Sequence, residues 1–385
     1  MNIKVAQRLE HTEEYYFSKK LREIDEMRKQ GAAIINLGIG SPDLPPHPDV
    51  IQVLTDEASK NNTHGYQNYK GALELRQAMA DWYQRYYQVE LDPNTEIMPL
   101  IGSKEGIVHI CMTYLQEGDQ VLIPNPGYPA YSSAVRITGA TILPYELQAA
   151  NNWLPDLESL EKLDLTAVKM MWINYPHMPT GSLATHDLFE RIISFGKKHN
   201  ILICHDNPYS FILNDKPQSI LAVDGAKEVA IELNSLSKSS NMAGWRIGML
   251  AADANRINEI LRFKSNMDSG MFLPLQLAAA KALSLDSSWY TQLNTEYAQR
   301  RELVFAIMDQ LGCTYDKAQV GLFVWARIPN NYSDGYALCD DVLYNKHVFI
   351  TPGGIFGSAG NAYIRISLCA NPAVLKETLQ RLSQA

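Results

Sequence analysis

Six apolar runs of strand length recur through the middle of this 385-residue chain: QVLIP (120–124), ATILPY (140–145), VKMMWINY (168–175), NILICHD (200–206), VAIEL (229–233) and IGMLAA (247–252). Helix-patterned segments lie between several of them, such as THDLFERIISFGKKHN (185–200) and the stretch after Gly102. Continuous apolar strands alternating with helices predict a mostly parallel sheet covered on both faces, an α/β architecture. In such a sheet, ligands gather beyond the carboxyl ends of the strands. Polar residues therefore matter most where an apolar run stops.

The flanking regions have a different texture. The first thirty residues predict an amphipathic helix with Tyr16, Phe17, Leu21 and Ile24 on one face. AAIINLGIGSPDLPPHP (32–48) then passes from extended chain into a proline-rich loop. Residues 71–88 return to helix. Beyond residue 270 one long helical stretch (273–312) precedes VGLFVWARIP, a helix near YALCDDVLYNKHVFI, and YIRISLC. This order predicts a smaller α+β domain. The expected division is a segment 1–44 joining the small domain, a large cofactor-binding domain 45–270 and a C-terminal small domain 271–385.

Composition excludes several partners. Apolar residues make up 46% and charged residues 20%, the balance of a soluble globule, and a net charge of −8 offers no broad positive field for nucleic acid or an anionic membrane. The five cysteines (Cys111, Cys204, Cys313, Cys339, Cys369) are widely spaced, which predicts reduced core residues, with neither a disulfide framework nor a metal site. No apolar run suits a signal peptide or a membrane span, so the expected location is cytoplasmic.

At the strand ends stand Asp206 and Tyr209, then Ser235, Ser237 and Lys238, then Asn125, Gly127 and Tyr128. A fourth run, KMMWINYPHMPTG, ends in a rigid loop closed by Pro179, Thr180 and Gly181. Singly, a lysine there is a surface charge and an aspartate is a cap. Together they form the inventory that pyridoxal phosphate demands: an amine, a carboxylate for a positive ring nitrogen, a phenol for a ring oxygen, and donors for a phosphate.

The sequence resembles the fold-type I pyridoxal-phosphate enzymes, class I/II aminotransferases, in the group that includes aspartate, aromatic and LL-diaminopimelate aminotransferases. The resemblance runs from NLGIGSPDLPP to YIRISLC, and its most specific marker is SLSKSSNMAGWRIG (235–248), with the family spacing from Lys238 to Arg246. It implies that Lys238 carries the cofactor as a Schiff base and moves the substrate's α-proton, that Asp206 faces the pyridine nitrogen, that Tyr209 donates to the ring oxygen, and that Tyr128 stacks on the ring. Ser103 and Lys104, opening a helix in GSKEG, would hold the phosphate with Ser235, Ser237 and Arg246. Tyr66 matches a residue that reaches the neighbouring subunit's phosphate, which implies a homodimer with active sites at the interface. Arg365, in YIRIS, matches the clamp for the substrate's α-carboxylate, with the backbone at Ile39 and Gly40 completing that site. The glycines of TPGGIFGSAG precede a strand, which argues against a dinucleotide fingerprint and suits a close substrate approach.

One position departs from the family. Met178 stands where an asparagine usually precedes PTG and supports the ring oxygen, and methionine donates no hydrogen bond. His177, Asn174 or a water are the candidate replacements.

The expected activity is transfer of an amino group between an L-amino acid and a 2-oxo acid, with glutamate and 2-oxoglutarate as one pair. A cysteine-S-conjugate β-lyase and a non-catalytic pyridoxal-phosphate-binding sensor domain remain as alternatives. The tyrosines with Phe17 and Phe356 suit an apolar or aromatic side chain, whereas a dicarboxylic substrate calls for another arginine, for which Arg136 is the candidate.

Overall fold

The computed structural model describes residues 3–10, 14 and 16–383. In chain order the strands are β1 Ile35–Asn36, β2 Ile97–Leu100, β3 Gln120–Asn125, β4 Thr141–Glu146, β5 Val168–Asn174, β6 Leu202–Asp206, β7 Ala230–Ser235, β8 Gly248–Ala251, β9 Thr314–Tyr315, β10 Phe323–Arg327, β11 Val348–Phe349, β12 Thr351–Pro352 and β13 Tyr363–Ser367.

The six apolar runs form β3 to β8 of a seven-stranded sheet ordered β2-β8-β7-β6-β5-β3-β4. Its strands are parallel except β8, which runs antiparallel to both β7 and β2. The seventh strand, β2, is the one the sequence did not announce. It is short and contains Pro99, which an edge strand tolerates because one of its sides needs no ladder donor.

Helices cover both faces. Tyr83, Phe189 and Ala279, from helices Leu73–Tyr87, His186–His199 and Leu273–Ser284, share one apolar cluster with Ile173 and Ile203. Ile107, Tyr131 and Ile257, from helices Ser103–Tyr114, Pro129–Thr138 and Ala254–Lys264, share the opposite one with Trp172 and Cys204. Strand alternation sends neighbouring side chains into these two cores. The caps follow the sequence: the Thr185 hydroxyl accepts from Leu188 N at 3.1 Å, and Asn200 closes the same helix in the left-handed conformation.

A four-stranded antiparallel sheet, β12-β13-β10-β9, packs with helices Ser288–Gln310 and Pro372–Ser383 in a third apolar cluster. β1 pairs in parallel with β11, and Ser367 N donates to Leu37 O at 2.8 Å, so the segment before the proline-rich loop lies against this C-terminal layer. In the predicted amphipathic helix, observed as Tyr16–Lys29, Phe17 and Ile24 are buried.

The single long helix expected after residue 270 is two helices. Leu285 leaves the helical conformation, and the Asp286 carboxylate accepts from Ser288 N at 2.7 Å to start the second. The glycines of TPGGIFGSAG lie against backbone and side chains too closely for a Cβ. A Cβ on Gly353 would lie 2.3 Å from Gly360 O, and one on Gly357, at φ +131°, would lie 2.0 Å from Asn125 Oδ1. All five cysteines are free.

Candidate active site

A cavity of about 300 Å³ opens beyond the carboxyl ends of β5, β6 and β7 and is closed from the other side by β10 and β13. Its wall collects Gly40, Ser103, Lys104, Tyr128, Met178, Asp206, Tyr209, Ser235, Ser237, Lys238, Arg246 and Arg365 from the residues singled out in the sequence, together with Phe17, Ile39, Asn174 and Phe356. Tyr66 lies outside it, 93% exposed.

Lys238 sits in the short helix Leu236–Ser239 that follows β7, started by the Ser235 hydroxyl accepting from Ser237 N at 3.1 Å. Its Nζ donates to the Gly40 carbonyl at 2.5 Å. Burial lowers its pKa; Cys369 opposes that shift, while the charges of Arg365 and Arg246 add to it. Burial and the two arginines favour the neutral amine, the form that attacks a carbonyl or accepts a proton, while Asp206 joins Cys369 in opposing them.

Asp206 ends β6. Its Oδ2 accepts from the Tyr131 hydroxyl at 2.8 Å, and Tyr131 stacks on Trp172 with ring centroids 4.9 Å apart. Oδ1 is buried with no hydrogen-bond partner among the described residues. Burial pushes the carboxyl up to about 6, against the lowering effects of the Tyr131 hydrogen bond and the charges of His205 and Lys238. Such an anion calls for a cationic N–H. Burial also raises the Tyr209 phenol, which keeps it a donor. Tyr128 precedes helix Pro129–Thr138 and meets Tyr131 edge-on at 5.6 Å.

At the phosphate end, the helix Ser103–Tyr114 begins after Gly102, whose φ is +81°. A Cβ there would lie 2.1 Å from Arg246 Nη2, and a Cβ on Gly248 would lie 2.6 Å from Ser103 N. Two glycines thus let a guanidinium and a helix start close on one point. Arg246 is left-handed at φ 58° and donates to Ala243 O at 2.9 Å. With Ser235 and Ser237 opposite, this is a cradle for a dianion.

Arg365 lies on β13, facing Trp325 of β10 and Thr351 of β12 in register. It donates to Gly38 O at 2.8 Å, and its guanidinium carbon stands 3.8 Å from the Phe323 ring centroid, 4.6 Å from Phe356 and 5.8 Å from Phe17. Met178 Sδ is 3.3 Å from Arg365 Nη1.

The two side chains expected to replace the amide missing at Met178 already make hydrogen bonds of their own. His177 is outside the cavity wall, 2.8 Å from Thr180 Oγ1, and burial pushes its pKa down to about 3. Asn174 does line the cavity, but its amide nitrogen donates to Asp206 O at 2.6 Å and its oxygen accepts from Met178 N at 2.8 Å. It ties the two segments together. Arg136 also lies outside, in an adjoining cavity of about 490 Å³ that shares the walls Tyr128 and Phe356.

Sequence reasoning missed Tyr131, the donor to Asp206, and Phe323, the ring under Arg365. Tyr131 stands three residues after Tyr128 at the start of a helix, but that spacing is equally that of a core tyrosine.

The orphaned Asp206 oxygen, the buried amine and the glycine-lined cradle fit pyridoxal 5'-phosphate. When bound, that group supplies the carbonyl to which Lys238 attaches and a ring that draws electrons from the substrate's Cα. Fold and site together define a pyridoxal-phosphate-dependent enzyme of fold type I. The family profile of aminotransferase class I and II matches residues 32–382. The chain is 39% identical over 383 residues to an LL-diaminopimelate aminotransferase of Dehalococcoides mccartyi strain BAV1, covering 99% of this chain and 98% of that one, and 39% identical over 379 residues to another from Moorella thermoacetica, covering 98% and 97%. The substrate-bound BacF structure from Bacillus subtilis superposes with a TM-score of 0.94 at 36% identity, covering 99% of this chain and 97% of that one. The chain belongs to the class I and II aminotransferases, and its activity is amino-group transfer between an amino acid and a 2-oxo acid. Among the described residues no helix is long and apolar enough to cross a membrane.

Proposed function

We propose that this aminotransferase takes an L-amino acid with an apolar or aromatic side chain, and uses glutamate and 2-oxoglutarate as its second pair. The observation that carries the reading is the wall around Arg365. Phe17, Phe323 and Phe356 surround the guanidinium, and Met178, Ile39 and Tyr128 line the same cavity. Arg365 binds the α-carboxylate, its fork held by Gly38 O. Lys238, its amine made less basic by burial, takes the α-proton and returns it, and Asp206 holds a proton on the ring nitrogen. Tyr209 donates to the ring oxygen, while Ser103, Ser235, Ser237 and Arg246 anchor the phosphate. The remaining lysine and arginine of the wall, Lys104 and Arg246, belong to the phosphate end.

The identity of the relatives favours a second reading, with LL-diaminopimelate as donor. A panel of amino donors with 2-oxoglutarate, read as glutamate formed, separates the two. Phenylalanine or leucine turning over well above LL-diaminopimelate supports the first reading, and the reverse order overturns it. Pyruvate and ammonia released from a cysteine conjugate without an oxo-acid acceptor would instead identify a β-lyase.

The reading includes a homodimer. Exposed Tyr66, Tyr69, Met267 and Phe272 lie on two abutting segments, His64 contacting Phe272 and Gly270 packing on Gln67 O. Sedimentation of the purified chain as a monomer at micromolar concentration would refute it.

A further inference from the structure

We propose that His205 is a buried imidazolium and a positioning residue for Asp206: held by Glu232 and the Tyr175 carbonyl, it keeps the adjacent carboxyl ionised while touching neither cofactor nor substrate.

His205 and Glu232 are register partners on β6 and β7, and both side chains are fully buried. His205 Nε2 is 2.9 Å from Tyr175 O, and Nδ1 is 2.9 Å from Glu232 Oε2. A carbonyl oxygen only accepts, so Nε2 carries a proton. Glu232 is surrounded by donors: the Tyr83 hydroxyl at 3.0 Å on Oε1, and on Oε2 the Ser219 hydroxyl at 2.8 Å and Ile220 N at 3.0 Å. Three donors converging on the carboxyl favour its ionised form over a protonated one that would aim its O–H at Nδ1, and against a carboxylate Nδ1 donates as well. Both ring nitrogens carry protons. An ion pair this deep survives only because every partner is satisfied.

His205 lies one residue before Asp206. Alternation turns the imidazole toward Phe189, 5.1 Å away, and Asp206 toward the cavity, with the thickness of one strand between them. Burial drives Asp206 toward its neutral form; the Tyr131 hydroxyl and the charges of His205 and Lys238 oppose this. Burial lowers the pKa of Lys238, and covalent attachment of the cofactor consumes its free amine, so that contribution is not a fixed one. Tyr131 and His205 remain, and His205 is the only one of the two that bears a charge. The network also grips Tyr175, three residues before Met178, which ties the imidazolium to the loop on the far side of the cavity.

The test begins with the unmodified holoenzyme. Isotope-edited proton NMR should show two slowly exchanging ring N–H protons on His205, assigned by their loss in His205→Gln; one ring N–H overturns the proposal. Holoenzyme loaded with cofactor labelled at the ring nitrogen gives the second readout. His205→Gln and Glu232→Gln should each lower the protonated fraction of that nitrogen and weaken cofactor affinity about tenfold, with kcat falling and KM little changed. Variants that lose thermal stability but keep a protonated ring nitrogen and an affinity within about twofold of the parent would show a mere staple between strands, and would overturn it. If the variants fail to fold, the ring N–H count on the parent enzyme still decides, with assignment by selective histidine labelling.

Discussion

The sulfur of Met178 lies 3.3 Å from Arg365 Nη1. A thioether is a weak acceptor, so the guanidinium proposed to bind the substrate carboxylate meets soft, polarizable contact on that side and donates its strong hydrogen bond to Gly38 O. In the proposed reading the same methionine would stand beside the cofactor's ring oxygen, with Tyr209 as the phenol donor.

Met178→Asn should restore an amide to that position. A donor to the ring oxygen favours its deprotonated form, so the pH midpoint of the cofactor's visible absorbance change should fall in the variant. One hydrogen bond to a charged acceptor is worth about 1.5 to 3 kcal/mol, which sets the fall at roughly one to two pH units at most. Spectral titration of both proteins checks this. An unchanged or raised midpoint would mean that a water or the second amide N–H of Asn174 already serves the ring oxygen.

Lys238→Ala should abolish covalent attachment. Borohydride reduction followed by peptide mapping should find the cofactor on Lys238 in the parent and on no lysine in the variant. Lys104, also in the cavity wall with its pKa lowered by burial and by Arg246, is the control: an adduct there in the parent would overturn the assignment.

Gly102→Ala tests the phosphate cradle. The new Cβ would press on Arg246 Nη2 and must adopt φ +81°, a backbone strain of about 1 to 3 kcal/mol. Displacing the guanidinium removes a charged hydrogen bond, so titration of apoprotein with pyridoxal phosphate should show affinity reduced at least about tenfold. Unchanged affinity would take Arg246 away from the phosphate.

Much of this site was legible because strand ends are local. Asp206, Ser235 and Lys238 each follow an apolar run directly, and a parallel sheet brings such ends to one edge regardless of how the loops run. Arg365 was legible as a cation inside an alternating strand. Phe323, Gly102 and the His205–Glu232 pair were not, because their roles depend on partners brought in from distant segments or from a neighbouring strand. Phe323 becomes the floor of the arginine site only once β10 and β13 pair, and Gly102 matters only because Arg246 arrives from 144 residues away. The break at Leu285 escaped because the apolar pattern continues on both sides of it, although Asp286 and the serines after it are helix-starting residues.

Asp206 offers the sharpest exchange between stability and function. Its carboxyl rises in the folded apoprotein from an ordinary 3.8 to about 6, chiefly through burial. Below both values the group is protonated whether the chain is folded or not, and it favours neither state. Between them the unfolded chain releases a proton that the folded chain keeps, so stability falls as pH rises, until the loss is complete above about 6. The span corresponds to about 3 kcal/mol. In Asp206→Asn the amide oxygen can still accept from Tyr131, and there is no charge to bury. The apo variant should therefore be more stable than the apo parent at pH 7 by up to about 3 kcal/mol, with the difference closing as pH falls below 4. Turnover by the loaded variant should drop about a hundredfold or more, since the ring nitrogen loses the anion that holds its proton. Denaturant unfolding of both apoproteins across this pH range reads the first effect. A parent no less stable than the variant at pH 7 would mean that Asp206 is already ionised at little cost, with Tyr131 and the buried charge of His205 offsetting burial in full.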